Sequence, residues 1–282
     1  MDSGSPLRQS EALASRRRVR GNEPRRLLLR RRCLPTTLVS LSLLCPAHAI
    51  VGGGDQPGEG PARAAVLLTR PDGICTGVAL APNLVLTAAH CVPPGADLKL
   101  LQFDAARQPV LGAIAATARH PEFDGRAEQR HRVSADLALV KLAKPLAVTP
   151  ASLAPAAGAP VALGERFVVA GYGVAKLGDG KSAGTLRTAA LIVTGAPGPL
   201  QFRLVDPATK GERAGLGACT GDSGAPVFRD VSGTLMVAGV VSWSTGPKLS
   251  DGCGGLTGVT PLARYRAWVV EQARKMGSAV GP

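Results

Sequence analysis

The sequence predicts an all-β protein. Glycine (35) and proline (23) are frequent among its 282 residues, short Val/Leu/Ala-rich runs recur between them, and long apolar runs at helical spacing are few. Strands joined by tight turns read this way. The length admits one large β domain or two smaller ones sharing a cleft. Aromatic residues make up only 3%, so Val, Leu, Ile and Ala must fill the core.

A leader covers residues 1–49. Residues 1–24 are polar and Ser/Arg-rich, and are read as a disordered extension or as sequence upstream of a misassigned start codon. Arg25-Arg26-Leu27-Leu28-Leu29-Arg30-Arg31-Arg32 is a basic run, Leu34–Ala47 is a mostly apolar stretch, and Ala47-His48-Ala49 has small residues at both key positions. Together they read as a secretory signal peptide cleaved near Ala49. Arg31-Arg32-Cys33-Leu34 weakly resembles a twin-arginine export signal. A membrane anchor needs ~20 apolar residues, so no membrane attachment is expected once the leader is removed.

The formal net charge of +13 is uneven: residues 1–49 carry 10 Lys/Arg against 3 Asp/Glu, and residues 50–282 carry 23 against 17. Over half of the basic excess leaves with the leader. Nothing in the remainder interleaves basic and aromatic residues as a nucleic-acid platform would, so no nucleic-acid partner is expected. Export predicts a secreted or periplasmic protein in an oxidising compartment. Cys33 and Cys45 leave with the leader. Cys75, Cys91, Cys219 and Cys253 remain, a set that permits three pairings.

After the leader comes Ile50-Val51-Gly52-Gly53, then strand-like runs at Ala64–Leu68, Gly77–Leu80 and, past an Ala81-Pro82-Asn83 turn, Leu84–Leu86. That last strand runs into Thr87-Ala88-Ala89-His90-Cys91, so a histidine sits just past a strand end beside a cysteine. His120 precedes Pro121, and His131 lies in a charged loop. Ser134–Leu142 places Asp136 at the head of a buried-looking strand. Pro145–Pro160 is a run rich in Ala and Pro that reads as a connection between two halves. Strands follow at Arg166–Val169, Thr185–Val193, Val227–Phe228, Leu235–Trp243 and Leu256–Thr260, with Gly195–Gly217 as a long loop. Leu262, Tyr265, Trp268/Val269 and Ala273/Met276 recur at helical spacing, so a closing helix is expected over about 261–276, with Pro261 in its first turn and Gly277 at its stop.

The stretch Cys219-Thr220-Gly221-Asp222-Ser223-Gly224-Ala225-Pro226 carries the chemistry. Gly221 and Gly224 allow a tight turn that brings the backbone close to a bound carbonyl. The N–H groups of Gly221 and Ser223 can converge there on a developing oxyanion. A serine hydroxyl attacks only when an adjacent base takes its proton.

With these residues in view the chain resembles the chymotrypsin/trypsin-like serine endopeptidases over roughly residues 50–276. Ile-Val-Gly-Gly, Thr-Ala-Ala-His-Cys, Asp-Leu-Ala-Leu-Val-Lys-Leu, Gly-Tyr-Gly, Gly-Asp-Ser-Gly-Ala-Pro and Val-Ser-Trp stand in the family's order. The resemblance implies two antiparallel six-stranded Greek-key β-barrels, about 50–150 and 160–260, with the active site in the cleft between them. It implies a His90, Asp136 and Ser223 triad, an oxyanion hole at Gly221 and Ser223, and an activation pair of the Ile50 ammonium with Asp222. It implies the bridges Cys75–Cys91 and Cys219–Cys253. Substrate would be held by Gly217, Ala218, Thr220, Ser242, Trp243, Ser244 and Gly254, with Gly217 at the pocket floor where trypsin-like members carry Asp. The expected activity is hydrolysis of peptide bonds through an acyl-enzyme, after an uncharged small-to-medium apolar residue. The expected partners are polypeptide substrates of a monomer, with no cofactor and no metal.

There are departures. Ala225 and Ser244 stand where glycine is usual, and the loop between Trp243 and Cys253 is longer than in common digestive members. A catalytically silent relative used as a binding module is the alternative from another class. Such relatives lose His, Asp or Ser, and all three are here.

Overall fold

The computed structural model describes residues 50–52, 54–55, 58, 60–104, 106, 108–127 and 132–281. The leader with its export signal, Gly53 and His131 lie outside the described residues. Twelve strands form two closed antiparallel barrels. The first holds β1 (Ala65–Arg70), β2 (Gly73–Ala81), β3 (Leu84–Thr87), β4 (Lys99–Phe103), β5 (Pro109–Arg119) and β6 (Ala138–Leu142), in the order β1-β2-β3-β6-β5-β4. The second holds β7 (Arg166–Gly171), β8 (Arg187–Thr194), β9 (Phe202–Val205), β10 (Pro226–Val231), β11 (Thr234–Ser244) and β12 (Thr257–Pro261). Its order, β7-β8-β9-β12-β11-β10, repeats that of the first. Closure removes the unpaired edges that an open sheet would expose.

Local chemistry sets the hairpins. Ser232 and Gly233 take φ of 53° and 83° between paired Val231 and Thr234, the two left-handed positions whose twist matches flanking strands. The Asp230 carboxylate accepts the Gly233 N–H at 2.7 Å. Leu68, Val85, Leu100 and Val140 fill the first barrel, and Phe167, Leu191, Phe202, Leu204 and Val259 the second. A third apolar cluster joins Leu84, Leu86, Leu137 and Leu139 of one barrel to Phe228 and Val237 of the other and to Tyr265 and Val269. At roughly 1.5–3 kcal/mol for each large side chain fully buried, this shared cluster fixes the barrels against each other and so fixes the cleft.

Four sequence expectations change. The helix α1 spans Arg266–Lys275, shorter than 261–276. Pro261 ends β12 instead, paired with Gly239, because a strand terminus tolerates its missing N–H as well as a helix start does. The Ile50–Asp55 strap belongs to the second barrel's side, bridging Val51 to Gly217 and Asp55 to Thr188, rather than to the 50–150 barrel. Strands β4 and β5 went unread, since β5 is largely exposed along its length and so lacks the alternation that marks a half-buried strand. Short β9 lies inside the expected Gly195–Gly217 loop, where Phe202 and Leu204 reach the second core.

His120 latches α1 to the first barrel. It is 7% exposed, its ring meets those of Tyr265 and Trp268 edge-on at 4.8 Å each, and Nδ1 accepts the Glu122 N–H at 3.2 Å. Burial holds its pKa below the usual 6.5, with the Arg264 charge acting the same way and Glu122 opposing. The unfolded chain therefore binds this proton more readily, and stability falls as pH drops from about 6.5 through the lower folded pKa. Thermal unfolding of the wild type from pH 7.5 to 5 should show that loss, and His120→Gln should flatten it.

Candidate active site

His90 lies in the short turn Ala89–Cys91 that follows β3. The Cys75–Cys91 disulfide ties that turn to β2. Asp136, 5% exposed, sits just ahead of β6. Its Oδ1 accepts the His90 backbone N–H at 3.0 Å, and its Oδ2 lies 2.8 Å from His90 Nδ1. Ser242 Oγ donates to the same Oδ2 at 2.6 Å. Burial by itself would raise the Asp136 pKa, but the hydrogen bonds and charge of His90 and the Ser242 hydroxyl outweigh it and hold the carboxyl below its usual range. An ionised acceptor at Nδ1 places the neutral ring's proton there and leaves Nε2 as the basic nitrogen.

The serine turn hangs between the barrels. Gly221 and Gly224 adopt φ of 96° and 80°. A Cβ on Gly224 would press on the Ala88 backbone nitrogen and the Thr87 hydroxyl. The Ser223 carbonyl accepts the Thr76 N–H at 2.9 Å, and Cys91 Sγ lies 3.6 Å from that carbonyl, a van der Waals contact since a disulfide sulfur has no hydrogen to donate. Through Thr76 and the Cys75–Cys91 bridge, β2 carries Ser223 and His90 to one place. Thr76 Oγ1 also donates to the Gly221 carbonyl at 2.9 Å and accepts the Tyr172 N–H at 3.1 Å. Sequence reading missed Thr76; its only trace is a polar residue inside the apolar run of β2.

Beside this turn the Cys219–Cys253 bridge ties the segment before Ser223 to the segment before β12. Near it Gly217, Ala218 and Gly254 are buried, Thr220 is exposed, and Ser242, Trp243 and Ser244 are half-buried at the end of β11. Three consecutive amides, those of residues 216–218, are held by three separate elements. The Leu216 N–H donates to Asp206 Oδ2 at 3.1 Å, the Gly217 N–H to the Val51 carbonyl at 3.3 Å, and the Ala218 N–H to Thr257 Oγ1 at 3.0 Å. Asp206 also accepts from Ala208 N at 2.9 Å, closing the loop that leads to these amides. Thr257 is fully buried, pairs with Ser244, and its hydroxyl would lie 3.6 Å from a Cβ on Gly217. Neither Asp206 nor Thr257 was legible in sequence. Asp251 is exposed on the loop between Trp243 and Cys253.

Asp222 is fully buried behind the serine turn. Its Oδ1 accepts the Gly173 N–H at 2.8 Å and its Oδ2 the Cys219 N–H at 2.9 Å. Burial pushes its pKa up to about 7, against the pull of those two amides and the Arg187 charge. A Cβ on Gly173 would strike the Asp222 carboxyl carbon at 2.5 Å, so only glycine fits there. Ile50 is buried with Phe167, Ala218 and Ala225 in the second core. Cys75, His90 and Cys91 are the metal-type cluster among the described residues, and the disulfide consumes both thiols that could ligate.

A family model for trypsin matches residues 50–269, the two barrels and the first turn of the helix. The chain belongs to the trypsin family. It is 26% identical to human kallikrein-11 over 83% of this chain and 86% of that protein. It is 32% identical to mouse serine protease 56 over 71% of this chain, and 28% identical to rat transmembrane protease serine 9 over 80%. The chain spans about a third of the former's length (34%) and a fifth of the latter's (22%). Among the described residues of this trypsin-family chain, no helix is long and apolar enough to cross a membrane.

Proposed function

We propose that this chain is an exported serine endopeptidase that cleaves peptide bonds through an acyl-enzyme. The observation that carries the reading is the His90 ring held by the ionised, buried Asp136 carboxylate, which is itself fixed by Ser242. In the proposed step His90 Nε2 takes the Ser223 proton as Oγ attacks the scissile carbonyl, forming the C–O bond. The carbonyl π pair moves to the oxyanion, which the Gly221 and Ser223 N–H groups receive. Collapse expels the amine, which takes the proton from His90, and water then repeats the sequence to free Ser223. Asp136 stays ionised throughout and stabilises the imidazolium. Labelling by a fluorophosphonate tests this: covalent modification at Ser223, abolished by Ser223→Ala, is expected. Full amidase activity in a Ser223→Ala protein would overturn it.

The preferred residue before the scissile bond is small to medium and uncharged. Gly217 offers no acid for a Lys or Arg side chain, whose buried charge would go unpaired. Buried Thr257, whose hydroxyl lies 3.6 Å from where a Gly217 Cβ would stand, shortens the pocket from one wall, and Ser244 narrows its entrance. Thr257→Gly should shift the ratio of kcat/KM for Phe over Ala substrates upward by about tenfold or more, since one or two methylenes of pocket space are worth roughly 1–3 kcal/mol. An unchanged ratio, or a preference for Arg peptides in the wild type, would reject this pocket.

The export signal and the two disulfides support a secreted or periplasmic site of action. Signal peptidase cutting after Ala49 would free the Ile50 ammonium to pair with Asp222, so that export and activation are one event. N-terminal sequencing of the exported active protein should start at Ile50.

A further inference from the structure

Gly221 contributes one of the two proposed oxyanion donors, yet glycine is the residue least able to hold a conformation by itself. It stands at φ 96°, and something else must keep its N–H aimed. The only side-chain hydroxyl bound to its backbone among the described residues is that of Thr76, at 2.9 Å from the Gly221 carbonyl.

We propose that Thr76, on β2 of the opposite barrel, is a positioning residue that locks Gly221 in the oxyanion-binding conformation. Four contacts make the lock. Thr76 is fully buried. Its hydroxyl is satisfied on both sides, donating to the Gly221 carbonyl and accepting from Tyr172 N–H at 3.1 Å. Its own N–H holds the Ser223 carbonyl, and its carbonyl accepts the Thr87 hydroxyl at 2.7 Å. Tyr172 is the neighbour of Gly173, whose N–H holds Asp222. One hydroxyl therefore touches the strand end that grips Asp222 and the turn that carries the serine. The bond fixes the Gly221–Asp222 peptide plane and the Gly221 Cα from which the N–H projects, and a movement of that plane takes the buried Gly221 carbonyl off the buried Thr76 hydroxyl, which is costly. The lock reaches across the cleft, so catalytic order depends on the two barrels being docked.

The inference rests on the endopeptidase reading, and the experiment keeps the two apart. Wild type must first label with a fluorophosphonate and turn over an Ala tetrapeptide anilide; failure there counts against the reading itself. Thr76→Val removes the hydroxyl at constant volume and leaves the backbone bond to Ser223. Its kcat should fall on the order of tenfold or more, the size of a lost buried hydrogen bond, with KM within about twofold. Affinity for a peptide aldehyde, which forms the tetrahedral oxyanion, should fall in parallel. Thr76→Ser, which restores the hydroxyl, should recover both. If Thr76→Val does not accumulate as folded protein, Thr76→Ala carries the same comparison without a methyl against the Gly221 carbonyl. A kcat within twofold of wild type in the valine or alanine variant, a loss carried by KM instead, or a serine variant as impaired as valine would overturn the proposal.

Discussion

Ser223→Ala and His90→Ala are each expected to lower kcat about 10⁶-fold, the size typical of Ser-His-Asp enzymes, with the pair of changes costing little more than either alone. The non-additivity follows from the chemistry: a serine without its base and a base without its serine are equally idle. Asp136→Asn should cost ~10⁴ in kcat, the value characteristic of this template. An amide at 136 would present an N–H to Nδ1 and force the ring's proton onto Nε2, the wrong nitrogen. It would also disturb the bonds that Asp136 accepts from the His90 backbone and from Ser242. All three variants should keep wild-type circular dichroism. Pre-steady-state kinetics with an ester substrate, which exposes the acyl-enzyme burst, measures the effect.

The second large effect concerns Asp222. In the proposed processed enzyme Asp222 pairs with the Ile50 ammonium; losing one partner of such a buried pair costs ~3–5 kcal/mol, so Asp222→Asn in that protein should lower kcat/KM about 10²–10³-fold and leave a zymogen-like enzyme. The fused chain supplies a physical reason for a switch here. Ile50 has φ 59°, a left-handed value that β-branched residues avoid because the preceding carbonyl crowds Cβ. Cutting before Ile50 removes that carbonyl and provides the ammonium in the same stroke. While the leader remains attached, Asp222 has no ammonium and its pKa stays near 7 against 3.8 ordinarily. The folded precursor then binds the proton more tightly than the unfolded chain, so its stability is full below about pH 3.8 and declines as pH rises through about 7. Protein refolded with residues 1–49 attached should lose thermal stability across that window, and Asp222→Asn should abolish the dependence. A flat profile, or full activity with the leader attached, would count against the switch.

The candidate active-site residues could be read because each motif combines a local signal with chemical scarcity. His90 stands beside a cysteine at a strand end, Ser223 between glycines, Asp136 before a run of apolar residues, and the six motifs keep one order. The strands that were legible are those with one wet and one dry face or a continuous buried run, such as β2 and β8. Strands β4 and β5 were not legible: β5 is mostly exposed, and its residues are small and apolar nearly throughout, so no polar/apolar alternation marks the side that Ile114 turns to the core. The helix was overextended because Pro261 satisfies a helix start and a strand end equally well, and only its pairing with Gly239 decides.

By itself, the sequence determined the fold class and pointed to a candidate nucleophile with its turn and to a candidate base and acid, each marked by residues close together in the chain. Tertiary structure alone decided what stands around them. Thr76 reaches Gly221 across 145 positions, Ser242 reaches Asp136 across 106, and Thr257 reaches Ala218 across 39. A threonine or serine in a strand has no local signature of its partner. Its hydroxyl is chosen by whichever amide or carboxylate barrel closure brings within 3 Å, and burial makes that choice binding because no water is there to take its place.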